Sequence, residues 1–144
     1  MTIDRFRNRY WFLSNMSDLK PVCFQGVSAP TVEHLFQAFK TTDPSERAWV
    51  LQASTPFDAK KRGRRVTMRS GWNHMRVELM LRLLRVKFSD PTLQDALLAT
   101  GNQELIEGNT WGDRFWGVDM RTGQGRNMLG TLLMRVRQEL RDAQ

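Results

Sequence analysis

Ala29-Pro30-Thr31-Val32-Glu33-His34-Leu35-Phe36-Gln37-Ala38-Phe39-Lys40 is the stretch from which the fold can be read. Thr31 is a good helix N-cap, and Val32, Leu35, Phe36 and Phe39 recur at i, i+3, i+4 and i+7, the spacing of one buried helical face. At roughly 100° per residue, Glu33, Gln37 and Lys40 form a second stripe directly beside that apolar one. A carboxylate in the first turn is favoured by the helix dipole, which is explanation enough for a glutamate. The same place, on the border of an aromatic core, also suits a desolvated acid with a chemical task.

Working outward, Val22–Phe24 and Val27–Ala29 flank Gln25-Gly26 as a hairpin that leads into this helix. Upstream, residues 5–13 are aromatic-rich and partly alternating, which predicts a strand interrupted at Ser14-Asn15. Downstream, Asp43-Pro44-Ser45-Glu46 combines an N-cap, Pro at N1 and Glu at N3, and opens a helix reaching about Ala53. Thr55-Pro56-Phe57-Asp58 repeats the device for a short helix over 56–62 that ends at Gly63. The basic run Lys60, Lys61, Arg62, Arg64, Arg65 and Arg69 ordinarily marks a solvated face.

The longest helix is expected over 72–88, where Trp72, Met75, Leu79, Leu83 and Val86 track one face. Asp90-Pro91 caps another helix, which stops at Thr100-Gly101. Residues 105–107 and 115–118 read as short strands. A loop, Gly123-Gln124-Gly125-Arg126-Asn127, ends in an N-cap for a final helix with Leu129, Leu132, Leu133, Val136 and Leu140 on one stripe. The expectation is an α+β fold, predominantly helical, with the helices around a small, mostly antiparallel sheet.

The 144 residues make one domain, 1–144, by the usual size range. Lys plus Arg number 22 against 15 acidic residues, a net charge of +7. That balance suits an anionic partner, either a phosphate-bearing small molecule or a nucleic acid. Five Trp and eight Phe fill a core first and offer stacking surfaces second. The lone Cys23, with His34 and His74, has no metal-ligand spacing, so no disulfide, metal or dissociable cofactor is expected. The start MTIDRFRNRYWF has no apolar signal core, and no run approaches the ~18 apolar residues of a membrane span. A cytoplasmic protein follows as the expectation.

Walker, Rossmann and zinc spacings are absent. Gly123-x-Gly125 followed by Arg126-Asn127 at a helix start is either an anion cradle of backbone N–H groups or a flexible turn. Neither histidine has a Ser-His-Asp setting. Glu107 and Asp113, taken alone, are turn or surface acids.

Phe12-Leu13-Ser14-Asn15 and then Thr31-Val32-Glu33-His34-x-x-Gln37-Ala38-x-Lys40 resemble the opening motifs of the NADAR superfamily, which includes YbiA-type N-glycosidases. The likeness continues through Thr55-Pro56-x-x-Ala59-Lys60-x-x-Gly63-Arg64, Trp72 at the start of a long helix, and Lys87-Phe88. It ends with Thr100-Gly101, Leu105-Ile106-Glu107, Asp113-x-x-Trp116-Gly117 and Gly125-x-Asn127-x-Leu129-Gly130-x-x-Leu133-Met134. The blocks run in order over about residues 12–140.

The resemblance implies hydrolysis of an N-glycosidic bond between a phosphoribose or ADP-ribose and a base. The substrates it implies are phosphoribosylamino-pyrimidine intermediates of riboflavin synthesis, or ADP-ribosylated guanine in nucleic acid. Carried over by position, it marks Glu33, Lys60, Trp72, Glu107, Asp113 and Trp116, supported by Asn15 and Asn127. Lys60 falls at a lysine position that, on the resemblance, the ADP-ribose-removing members keep and the YbiA type lacks, which tilts the expectation toward ADP-ribosyl substrates. Val118-Asp119-Met120-Arg121 stands where the family often has a Gly-rich turn, so the rim that selects the substrate differs.

The residue types suit that chemistry. Cleaving a ribosyl N-glycoside builds cationic character at the anomeric carbon, which a nearby carboxylate stabilises. Proton transfer to the departing nitrogen or from water needs an acid/base group, and Glu33, Glu107 and Asp113 are the candidates. Lys60 can attack an opened sugar as an imine-forming nucleophile. Trp72 and Trp116 can sandwich the base, while Arg64 and the Gly125-Arg126-Asn127 helix start can take phosphate. The rival from another class is a non-catalytic ADP-ribose or nucleic-acid binding module using the same aromatics and arginines.

Overall fold

In the computed structural model, which describes residues 1–144, the helix after Thr31 spans Val32–Ala38 (α1). Thr31 Oγ1 accepts the His34 N–H at 3.1 Å, closing the first turn. Every residue of α1 is buried, so the polar stripe lies inside the protein as fully as the apolar one. His34 is buried because its ring is satisfied, with Nδ1 2.8 Å from Thr31 Oγ1 and Nε2 2.9 Å from Ala53 O.

The chain forms two compact units, Asn15–Lys87 and Met1–Ser14 with Phe88–Gln144. In the first, β2 (Val22–Phe24) and β3 (Val27–Ala29) form the expected antiparallel hairpin. Gln25 and Gly26 take φ of 51° and 78°, the left-handed pair that a two-residue hairpin turn requires. The helices are α1, α2 (Pro44–Leu51), α3 (Pro56–Gly63) and α4 (Trp72–Lys87). Asp43 caps α2 by accepting from Ser45 N and Glu46 N, and Thr55 caps α3 by accepting from Asp58 N. Glu46 also accepts from Thr41 Oγ1 at 2.6 Å and from Thr67 N, tying the chain after α3 back to α2.

Gly63 corrects the sequence-based expectation for α3. It is the last helical residue rather than a left-handed stop, since it is not among the positive-φ glycines, and Arg64 forms the C-cap.

The second unit holds β1 (Thr2–Ile3), α5 (Pro91–Ala99), β4 (Glu104–Leu105), β5 (Gly108–Asn109), β6 (Val118–Asp119) and α6 (Met128–Asp142). Asp90 caps α5 through Leu93 N, and α6 buries Leu129, Leu132, Leu133 and Val136, the expected stripe. The expected strand over residues 5–13 is instead a 3-10 helix, Asn8–Leu13. Phe12 and Leu13 are both buried, which a strand cannot arrange because neighbours point to opposite faces.

The fold is α+β, but the single, mostly antiparallel sheet is replaced by three two-stranded sheets. Only β2–β3 is antiparallel; β1 pairs with β4 and β5 with β6 in parallel. A sequence scan pairs neighbouring strands, whereas Thr2 meets Glu104 across most of the chain. The strand expected over 115–118 shrinks to Val118–Asp119 because the carbonyls of 115–117 accept from the start of α6 instead. No helix is long and apolar enough to cross a membrane.

Candidate active site

In the Asn15–Lys87 unit, the polar side of α1 collects most of the chemistry. Glu33 is 7% exposed, and its Oε1 accepts from Gln37 Nε2 at 2.8 Å, one helical turn on. Its backbone N–H donates to Asn15 O at 3.1 Å, which fastens the Asn15 loop to the first turn of α1. Asn15 Nδ2 meets the Met80 sulfur at 3.5 Å, while Asn15 Oδ1 and Gln37 Oε1 are buried acceptors without a hydrogen-bond partner. Buried acceptors are rarely left so.

Lys40 is the site residue that sequence reading did not single out, although it lies seven residues from Glu33 on the same stripe. Its ammonium is held below its usual range of 10.5, first by burial and then by Arg64, Lys60 and Arg76, with Glu33 opposing the shift. Those interactions place Lys60 and Arg64 in the electrostatic surroundings of the Glu33 helix, as expected for the carried-over residues. Other members of the basic run form a solvated face: the Arg62 and Arg65 guanidinium carbons lie 5.2 and 5.8 Å from the Trp49 ring centre.

Trp72 does not match its expected role as half of a base sandwich. It is 4% exposed and packs on Phe36, ring centres 5.1 Å apart and tilted 53°. Its apolar bulk at the start of α4 makes it a core residue. Trp72→Ala is therefore expected to lower unfolding stability by about 3–5 kcal/mol in urea melts, whereas a binding loss at unchanged stability would return it to the site.

In the second unit a separate polar framework surrounds Glu107. Asn109, 2% exposed, donates through Nδ2 to Glu107 Oε2 at 3.1 Å and to Asp113 O at 2.9 Å, and accepts from Asp113 N at 3.0 Å. Gly117 is bare because a Cβ there would run into the Glu107 carboxylate and lie 2.8 Å from Asn109 Nδ2. Asn109 also went unnoticed in the sequence; its one local signal is the i, i+2 spacing from Glu107, which puts both side chains on one side of an extended chain.

Asp113 Oδ1 accepts from Phe115 N at 3.0 Å and Trp116 N at 2.9 Å, so this carboxylate shapes the turn that presents Trp116. Trp116 is half-buried and meets Phe115 edge-on at 4.9 Å.

The expected phosphate cradle at Gly125-Arg126-Asn127 is already filled by protein. The N–H groups of Arg126, Asn127, Met128 and Leu129 donate to the carbonyls of Arg114, Gly117, Phe115 and Trp116. Asn127 takes φ 51° at the N-cap without a side-chain cap. Its Oδ1 accepts from Glu107 N and its Nδ2 donates to Leu105 O, both at 2.9 Å. Gly125 is needed because Gly117 O lies where a Cβ would go. Of that trio, only the exposed Arg126 side chain, 5.8 Å from the Phe115 ring centre, is left for an anion.

The rim departure has a structural replacement as well. Asp119 accepts from Arg121 N at 3.0 Å and pairs with the Arg121 guanidinium at 3.2 Å. Those hydrogen bonds hold its carboxyl below the ordinary 3.8. No group of three or more His, Cys, Asp or Glu side chains is placed to hold a metal ion.

Residues 4–141 match the NADAR domain family. The chain is 37% identical over 123 residues to N-glycosidase YbiA of Escherichia coli K12, covering 83% of this chain and 76% of that one. It is 39% identical over 134 residues to the riboflavin biosynthesis protein VVA0006 of Vibrio vulnificus, covering 91% of this chain but 36% of the longer protein. The NMR structure of E. coli YbiA superposes with a TM-score of 0.85 at 34% identity, covering 99% of this chain and 86% of that one.

Proposed function

The chain belongs to the NADAR domain family and is an N-glycoside hydrolase, and we propose that its substrate is a small phosphoribosylamino-pyrimidine of riboflavin synthesis, handled by residues 1–144 as one NADAR-type domain. The observation that carries this reading is the buried Glu33, hydrogen-bonded by Gln37 and surrounded by the charges that act on Lys40. The similarity to a riboflavin biosynthesis protein supports the substrate class.

As the bond from the anomeric carbon to the base nitrogen breaks, its electron pair leaves with the nitrogen and positive charge grows on the sugar. An ionised Glu33 stabilises that charge. Water then supplies hydroxide to the anomeric carbon and a proton to the departing base, with Glu33 as the group that accepts and passes the proton. Lys40, Lys60 and Arg64 supply cations for the phosphate. Trp116 offers a stacking surface for the base; Trp116→Ala is expected to weaken ligand binding by about 1–3 kcal/mol with circular dichroism unchanged. Equal affinity by calorimetry would assign it to packing.

A second reading, hydrolysis of ADP-ribosyl compounds including ADP-ribosylated nucleic acid, draws on one observation. Lys60 acts electrostatically on Lys40 on the Glu33 helix, where an amine can condense with the opened sugar aldehyde, releasing water and forming an imine.

One experiment separates these possibilities. The protein is incubated separately with the phosphoribosylamino-pyrimidine, free ADP-ribose and guanine-ADP-ribosylated DNA, and products are followed by mass spectrometry. Free base beyond one equivalent from the first is the expected result. Turnover of ADP-ribosylated DNA alone, with a borohydride-trapped adduct on Lys60, establishes the second reading. Binding without turnover of any of the three makes the protein a binding module.

A further inference from the structure

Gly63 poses a question that its backbone does not answer. Glycine within a helix is about 1 kcal/mol less favourable than alanine, and Gly63 is helical with none of the positive φ that would require it. Its surroundings supply the reason. A methyl group on Gly63 would run into Gln37 Oε1 and would lie 2.7 Å from Gln37 Cδ and 2.9 Å from its Cβ. The Cβ is fixed by the α1 backbone, so no rotamer change clears all three contacts.

Gln37 is itself an odd choice for a buried position. It is 4% exposed, and its Oε1, pressed against Gly63, has no hydrogen-bond partner. A buried acceptor left unpaired costs about 1–3 kcal/mol, and methionine would fill the same volume without that cost. What methionine lacks is the N–H that Gln37 directs at Glu33 Oε1 over 2.8 Å. The amide has one workable orientation, because turning it over would set its oxygen against the carboxylate.

We propose that Gln37 is a positioning residue for Glu33, its amide wedged against the bare Cα of Gly63 so that the N–H fixes the Glu33 carboxylate in the orientation hydrolysis needs. The proposal rests on the assignment of Glu33 as the acting carboxylate. Gly63 then acts on the reaction only through Gln37.

The test compares Gln37→Met, Gly63→Ala and the double variant with Glu33→Gln, measuring kcat and KM on whichever substrate the protein turns over. Gln37→Met keeps the volume and is expected to fold, yet to lower kcat by on the order of 10²-fold with KM within about threefold. Gly63→Ala is expected to lower kcat alike, and to lower it less than about twofold further when Gln37 is already Met. A merely structural role would shift melting temperature and leave the split between kcat and KM alone. Wild-type kcat in Gln37→Met beside an inactive Glu33→Gln overturns the proposal. An active Glu33→Gln overturns the assignment of Glu33 itself. Should Gly63→Ala not fold, Gln37→Met decides alone.

Discussion

Glu33→Gln lowers turnover by on the order of 10²–10⁴-fold, the usual contribution of a group that moves a proton or faces a developing charge. The substitution is unusually clean in this setting. A glutamine at 33 still offers an oxygen to Gln37 Nε2, now 2.8 Å from Glu33 Oε1, and its backbone N–H still reaches Asn15 O. The geometry therefore survives while the charge and the titration are removed. KM changes far less than kcat, because the lost interaction belongs to the transition state. Stability falls by no more than about 1 kcal/mol, the worth of a favourable helix-dipole contact. Lys40 provides an internal reporter. Glu33 is the neighbour that raises its pKa against burial and the three nearby cations, so in the variant Lys40 deprotonates more readily and reacts faster with an amine-acylating reagent at neutral pH. Near-normal turnover in a folded variant removes Glu33 from the mechanism and leaves Glu107, held by Asn109, as the next carboxylate to test.

The parts of this fold that were legible in the sequence are those determined within a few residues. Asp43, Thr55 and Asp90 each announce a helix, and each makes its side-chain cap bond. Gln25-Gly26 announces a hairpin whose register follows from the turn. What stayed hidden depends on partners far along the chain. Thr2 pairs with Glu104, and nothing local in either segment encodes a parallel partner. The backbone donors at the start of α6 look available to an anion until the carbonyls of residues 114–117 come to meet them. Trp72 looks like a stacking platform until Phe36 covers it. Gly63 is the most instructive of these cases: as a letter it signals a helix end, and only the Gln37 side chain lying against it reveals a packing requirement. Glu33 itself was legible because its cap, its apolar stripe and its polar stripe all lie within one short segment.

Lys87 supplies the largest expected effect on stability. It is 5% exposed, and its Nζ donates to Ser17 Oγ at 3.1 Å. Burial pulls its pKa from 10.5 down to about 7. The consequence for folding follows from counting protons. Between about pH 7 and 10.5 the unfolded chain holds a proton on Lys87 that the folded chain has released. Stability must therefore rise with pH across that window, by up to ~1.4 kcal/mol per pH unit. Below about pH 7 both states carry the proton, and the folded state bears the full desolvation cost, on the order of 3–5 kcal/mol. Lys87→Met keeps the apolar stem and removes the charge. The variant is expected to be more stable than wild type at neutral pH by a few kcal/mol, since the lost bond to Ser17 offsets only about 1 kcal/mol of the gain. The difference between the two proteins should shrink steadily from pH 7 to pH 10, as urea midpoints at each pH would record. Lys40, lowered by burial in the same sense, contributes equally to both and cancels from the comparison. A variant less stable than wild type at neutral pH, with the same pH slope, would mean that the contacts of the Lys87 ammonium outweigh its desolvation.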